Sequence, residues 1–515
     1  MAKLFKVLKS RTVLVGLAIL IQAAWYILFL RQLTSYSVFI NGFFRFLSVV
    51  IVLYLIRKDE NSAYKIAWII LIMLIPLLGG ILYVLVGNKK PSKKIAQKMA
   101  VVKDGMKDTM KQNEEILAEV RAQDANVAGS MNYLGILGRY PVWKHTSVKY
   151  FPIGEEMFAS MLEDLKKAEH YIYLEYFIIE QGIMWNSILE ILEQKVKEGV
   201  EVRLIYDDVG CVDRLPIHYT KLMENKGIKC MAFNRFVPFL SLAMNNRDHR
   251  KILVIDGYIG YSGGINLADE YINEKARFGH WKDTGVRLLG EGVFNLTIMF
   301  LEMWSVDKNL RNMPLELFEK YLDIVPDKES EPGDGFIMPY GDSPLDNEAV
   351  GEQVYMDILY TAKDYVHIMT PYLILSNEMI TALTYAAKRG VDVKIIMPHI
   401  PDKWYAFVLA KTYYNELLDA GVKIYEYTPG FVHAKVFTSD DEKAVVGTIN
   451  LDYRSLYLHF ECAVYLYQNE EIPSIEEDFQ ETLAKCQEVL PSDYKRQKFF
   501  DRMAGRVLRI LAPLM

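Results

Sequence analysis

The chain runs to 515 residues with 51% apolar and 24% charged residues, too long for one core and too apolar for a disordered chain. Its formal charge of −6 conceals an asymmetry, since residues 1–100 hold 14 Lys/Arg against 2 Asp/Glu while the remaining 415 hold 45 against 63. A body at net −18 argues against a nucleic-acid-binding enzyme, which needs cations to displace counterions from phosphates, and the dispersed cysteines Cys211, Cys230, Cys462 and Cys486 write neither a zinc site nor a disulfide framework.

The first 88 residues read as a membrane anchor. Three apolar runs, 12–30, 37–56 and 66–86, approach the roughly 20 residues a helix needs to cross a bilayer. The first follows Lys3, Lys6, Lys9 and Arg11, as a signal peptide would, but it exceeds an h-region and no small-x-small site follows Leu30. The second contains Arg45, expected to snorkel to an interface, and the third carries Pro76 and Gly79-Gly80, which lipid-embedded helices tolerate. Basic residues flank these runs almost evenly, so the charge bias alone leaves orientation open. Unpaired thiols favour the cytoplasmic side for the body. Residues 89–134, which open on Lys89, Lys90, Lys93, Lys94, Lys98 and Lys103, read as a charged, exposed juxtamembrane linker.

The body repeats itself. KEGVEVRLIYD (197–207) matches KRGVDVKIIMP (388–398), YIYLEYF (171–177) matches the run 365–371, and Gly227-Ile228-Lys229 matches Gly421-Val422-Lys423. Each copy alternates short β-rich runs with helical patterns such as 183–198 and 404–420, so the fold class is α/β, present twice. The copies are expected at 135–324 and 348–494, joined by an acidic, Pro- and Gly-containing linker at 325–347. Residues 495–515 form a basic, apolar segment that reads equally as an interfacial helix or as one packed on the body.

Both copies carry H-x-K-x4-D-x6-G-x-x-N at identical spacing: His249, Lys251, Asp256, Gly263 and Asn266, then His433, Lys435, Asp440, Gly447 and Asn450. In an extended run His and Lys, two apart, share a face, whereas Asp256 falls on the other face and suits an orienting role. Gly264 and Thr448 follow the glycines, where the backbone is expected to approach a ligand, and the two asparagines offer amide hydrogens to an anion. Two His, two Lys and two Asn converging would bind one phosphodiester, one His attacking phosphorus while the other protonates the leaving oxygen. Metal ligation by the His pair is disfavoured because the lysines repel a cation.

These motifs are those of the phospholipase D superfamily, which the chain resembles; within it, LLGGILYVLVG (77–87), LIYDDVG (204–210), NNRDHRKILVIDG (245–257), WKDT (281–284) and GFVHAKVFTSDD (430–441) resemble bacterial cardiolipin synthases of the membrane-anchored type. Two departures stand out: Gly264 and Thr448 replace the more usual Ser, and there are three apolar runs where two are usual. The resemblance implies duplicated domains packed around one shared active site, and transfer of a phosphatidyl group between phosphatidylglycerol molecules through a phosphohistidine, without nucleotide or metal. It further implies His249 as nucleophile, His433 as general acid, Lys251 and Lys435 on the non-bridging oxygens, and Asp283 and Glu461 as hydrogen-bond partners of the histidines. A hydrolase releasing phosphatidic acid would use the same residues with water as acceptor.

Overall fold

The structure is a computed structural model that describes residues 110–235, 246–306, 333–345 and 348–514, with discontinuous stretches between 20 and 105. The first copy contributes β1 (Thr146–Phe151), β2 (Tyr171–Tyr176), β3 (Glu201–Asp207), β4 (Lys229–Phe233), β5 (Lys251–Ile255), β6 (Ile259–Gly263), β7 (His280–Lys282) and β8 (Gly285–Gly290). The second contributes β9 (Phe336–Asp342), β10 (Tyr365–Met369), β11 (Asp392–Pro398), β12 (Lys423–Tyr427), β13 (Gly430–Val432), β14 (Val436–Ser439), β15 (Lys443–Gly447), β16 (Glu461–Tyr467) and β17 (Cys486–Glu488).

One sheet has the order β1-β8-β6-β5-β2-β3-β4 and the other β17-β12-β11-β10-β14-β15-β16-β9. The orders superimpose strand for strand, β1 on β9 and β5 on β14, with β17 as an addition. In each sheet the β2–β3–β4 or β10–β11–β12 segment is parallel and the rest antiparallel. The parallel strands are covered on both faces, which is why YIYLEY and LIYD read as unbroken apolar runs without alternation. Helices Ile183–Lys197 and Asn377–Lys388 lie on them, burying Met184, Trp185, Ile188 and Leu192 in one copy and Met379, Leu383 and Ala386 in the other at helical spacing. Both helices end in the repeated Gly-Val, where Gly199 (φ 93°) and Gly390 (φ 100°) take the left-handed conformation that stops a helix.

The sheets share one apolar cluster, in which Tyr173, Ile252 and Val254 join Met338, Val445 and Tyr465. Two expectations change here. The stretch read as a linker contains β9, which pairs with β16 along its length; Pro339 and Gly341 were misleading because β9 is an edge strand, where a missing N–H is tolerated. The charged segment before the body is likewise not all exposed. Helices Glu114–Gln123 and Ala125–Leu137, capped by Asn113 and Asp124, bury Leu117, Val120, Val127, Met131 and Leu134 in the same cluster, at about 1.5–3 kcal/mol per large side chain.

Of the apolar N-terminal runs, 12–30 lies largely outside the described residues. The run 37–56 corresponds to helix Val38–Arg57, with Phe43, Phe46, Val49, Val50, Leu53 and Ile56 exposed. The run 66–86 begins within helix Ser62–Leu74, which stops just before Pro76. Among the described residues no helix is long and apolar enough to cross a membrane. At the other end, helix Phe499–Leu511 packs Gly505 against Thr412 and Val408 and lays Arg509 over Tyr413 on helix Trp404–Asp419. Its other face leaves Phe499, Phe500, Met503, Val507 and Ile510 exposed.

Candidate functional site

The two motif histidines are brought together at the seam between the sheets. The backbone ahead of β5 forms a parallel bridge to the second copy, with His249 N–H donating to Phe460 O at 2.9 Å and Phe460 N–H to Arg247 O at 2.9 Å. Symmetrically, β13 pairs in parallel with β7, and His433 N–H donates to Lys282 O at 2.7 Å. Each histidine therefore stands beside the residue preceding an acid of the opposite copy. The Nδ1 of His249 lies 2.9 Å from both carboxylate oxygens of Glu461, and the Nδ1 of His433 lies 2.6 Å from Asp283 Oδ2. The exchange is complete: neither copy supplies the carboxylate for its own imidazole.

Both histidines line one cavity of about 320 Å³, together with Asn266, Asn450, Arg214, Glu270, Arg277, Lys403 and Arg454. Burial pulls the His249 imidazole down to about 3, with Lys251 adding to the depression and Glu461 opposing it. Burial, assisted by Lys435 and opposed by Asp283, pulls His433 down to about 4. Burial also works against charge on the two carboxyls, but the histidines overcome it and hold both below the usual carboxylate range. Neutral imidazoles facing carboxylates donate from Nδ1, which leaves Nε2 as the open nitrogen of each ring.

Lys251 and Lys435 sit immediately behind, each donating from Nζ to the carbonyl of its own motif histidine. Desolvation lowers Lys251 to about 8 and Lys435 to about 7, the carboxylates Glu461 and Asp283 resisting the fall. Asn266 is braced, its Oδ1 accepting from Ile178 N–H at 3.0 Å and its Nδ2 donating to Tyr271 OH at 2.7 Å; Asn450 Nδ2 donates to Ser455 OH at 3.1 Å. Each amide keeps one hydrogen for another acceptor.

Four sequence candidates occupy other roles. Gly264 and Thr448, expected against a ligand, pack on the acids instead. A Cβ on Gly264 would stand 2.0 Å from Asp283 Oδ1, and the Thr448 hydroxyl donates to Glu461, so each residue fits its own copy's acid. Asp256 and Asp440, expected among the catalytic residues, lie at the far ends of β5 and β14 and do not line the cavity. Asp256 accepts from the N–H groups of Glu169, His170 and Tyr171 at 2.7–2.8 Å, and Asp440 from Lys363, Asp364 and Tyr365 at 2.9 Å. Each clamps the start of the neighbouring strand from a left-handed turn position, φ 52° and 57°.

Three further residues were not among the sequence candidates, although Trp281 lies in WKDT and Asp207 in LIYDDVG. His459 lines the cavity with its ring 5.6 Å from that of His249 and its Nδ1 3.7 Å from Glu461 Oε1; among the described residues neither ring nitrogen has a hydrogen-bond partner. Trp281, two residues before Asp283 as His459 is before Glu461, stands 5.4 Å from His433, and its indole N–H is also unpartnered. Asp207 of LIYDDVG holds the lead into β5 by accepting from Asp248 N–H at 3.1 Å and pairing with Arg247 at 3.3 Å. Donor atoms of His249, His459 and Glu461 lie within 4.8 Å of one another, a metal-ligand spacing. Against a cation there, the Nδ1 of His249 is already engaged by Glu461 and Lys251 adds positive charge.

The family model described as "Cardiolipin synthase, PLD-like domain" matches residues 161–276 and 355–483, and "Phospholipase_D-nuclease N-terminal" matches 46–88. An uncharacterised protein of Streptococcus mutans serotype c is 49% identical over 464 residues, 90% of this chain and 99% of that one. A cardiolipin synthase of Alkalihalophilus pseudofirmus is 32% identical over 460 residues, 89% of this chain and 90% of its own. The crystal structure of a phosphatidylserine synthase from Haemophilus influenzae shares the fold at a TM-score of 0.57 and 12% identity, covering 76% of this chain and 98% of that one. The chain belongs to the cardiolipin synthase family of phospholipase D-like phosphatidyltransferases.

Proposed function

We propose that the protein transfers the phosphatidyl group of one phosphatidylglycerol to another, giving cardiolipin and glycerol. The observation that carries this is the pair of neutral imidazoles in one cavity, each held at Nδ1 by a carboxylate from the other copy. His249 Nε2 attacks phosphorus, the P–O bond to glycerol breaks, and His433 protonates the departing oxygen. The hydroxyl of the second lipid then returns a proton to His433 while its oxygen attacks phosphorus and the P–N bond breaks, regenerating His249. The arriving phosphodiester anion supplies the charge that lets His433 hold a proton. Lys251 and Lys435 each spend one N–H on a carbonyl and keep two for the non-bridging oxygens, with Asn266 and Asn450 adding neutral donors. No cofactor enters these steps.

The anchor belongs to this reading: the runs 12–30, 37–56 and 66–86 hold the protein in the cell membrane as a multi-pass chain, with the body on the cytoplasmic side. Supporting it are the exposed apolar face of helix Val38–Arg57 and the bacterial relatives. Vesicles of phosphatidylglycerol supplied with the full-length protein should yield cardiolipin and glycerol in equal amounts. Phosphatidic acid without cardiolipin would replace the transferase by a hydrolase.

A further inference from the structure

The two walls of the cavity differ in how their cations are used. In the first copy, four residues after Asn266, buried Glu270 takes Arg214 at 2.9 Å and Arg277 at 3.0 Å, and Glu180 takes Arg214 as well. In the second copy the equivalent position, four residues after Asn450, is Arg454. Among the described residues its guanidinium has no carboxylate partner, and it faces the cavity beside Lys403, whose Nζ stands 3.2 Å from Tyr372 OH and 3.7 Å from Asp402 Oδ2, a looser ion pair than those of the first wall.

Arg454, Lys403, Asp452 and Tyr372 also line a second hollow of about 250 Å³, so the two spaces adjoin along these residues. Away from the histidines this hollow becomes apolar, lined by Ile374, Tyr405, Ala406 and Tyr453, and it ends at Ala512. The last turn, Ala512–Leu514, packs on helix Ser62–Leu74, where Leu514 joins the cluster of Leu55, Trp68 and Ile72. The hollow thus extends from the wall it shares with the histidine cavity to Ala512, whose turn rests on helix Ser62–Leu74.

We propose that this hollow binds the second lipid: Arg454 and Lys403 hold the phosphodiester of the acceptor, and its acyl chains lie along Tyr405 and Ala406 toward Ala512 and the bilayer. Cations for a phosphate, the Asp452 carboxylate for headgroup hydroxyls and an apolar wall beyond them match a hydroxylated anionic phospholipid end to end. The assignment rests on the transferase reading and deepens it. It places the attacking hydroxyl on the second copy's side of the cavity.

The test uses full-length protein in vesicles of phosphatidylglycerol and phosphatidylcholine with labelled free glycerol. Exchange of glycerol into phosphatidylglycerol requires only the donor site and a small alcohol, whereas cardiolipin requires a second lipid. The ratio of cardiolipin formed to glycerol exchanged should fall about tenfold or more in Lys403→Gln/Arg454→Gln, and likewise in Ala406→Trp, which fills the apolar end. Should one variant fail to fold, the other carries the test. A wild-type protein that exchanges glycerol but makes no cardiolipin rejects the transferase reading. A wild-type protein that makes cardiolipin, with the ratio unchanged in the folded variants, rejects the second-lipid site alone.

Discussion

Around His249 and His433 the two copies agree in the atoms nearest the imidazoles and differ in the next shell. Glu461 presents both oxygens to His249 at equal distance, whereas Asp283, one methylene shorter, presents a single oxygen at 2.6 Å and needs a glycine at 264 to fit. Beyond the acids, His249 meets Phe177 and His459, while His433 is enclosed by Tyr271, Trp281 and Phe431. Duplication supplies matched groups, and divergence around them gives the two rings different surroundings, which the proposed mechanism requires if one is to act as nucleophile and the other as acid.

Removing either imbalance at its root should have the largest effect. His249→Ala and His433→Ala are each expected to lower transfer by at least about 10⁴-fold, because one removes the attacking nitrogen and the other leaves an alkoxide unprotonated. With a labelled phosphodiester whose leaving group needs no protonation, phosphate retained on His433→Ala, but not on His249→Ala, would fix the order; the reverse pattern would exchange the roles. Glu461→Gln and Asp283→Asn keep the shape but lose the charge that fixes the tautomer, so each should cost on the order of 10²–10³ in kcat. Equal losses in kcat and identical pH profiles would mean that the outer shells do not distinguish the copies.

The lysines sharpen the comparison through pH. With Lys435 at about 7 and Lys251 at about 8 in the empty site, both ammonium groups lose their protons as pH rises through that window. Rate measurements should therefore show kcat/KM falling above pH 7–8. The kcat profile should hold to higher pH, since bound phosphate favours the charged forms. Lys435→Arg, if it retains activity, should move the alkaline limb upward. A smaller effect is expected for His459→Phe, about tenfold in kcat/KM, compared in the same assay with Trp281→Phe, which keeps an aromatic ring and removes only the indole N–H. Asp256→Asn should act on stability instead, lowering Tm by a few degrees with little change in kcat, because its carboxylate serves three backbone N–H groups far from the cavity.

The repeated motif, the α/β alternation and the position of the two histidines were legible because each rests on spacing within a copy. The exchange of acids was not, because Asp283 follows His249 by 34 residues and Glu461 follows His433 by 28, so a linear reading pairs each acid with its own copy's histidine and only docking of the sheets exchanges them. Strand β9 hid behind Pro339 and Gly341, which are loop residues except on an edge. Leu117 and Val120 hid among charges that face outward on the same helix, Glu114–Gln123. His459 is a single imidazole without a motif, although its alignment with Trp281, two residues before an acid in each copy, was available from the repeat.

The crossed acids carry a consequence for how the protein is made. A nascent chain of which only the first half has emerged presents His249 without Glu461, the carboxylate that engages its Nδ1. Competence arrives when residue 461 has left the ribosome and the second sheet has closed on the first, so a truncated or half-folded molecule has no assembled histidine–carboxylate centre with which to attack a phosphodiester.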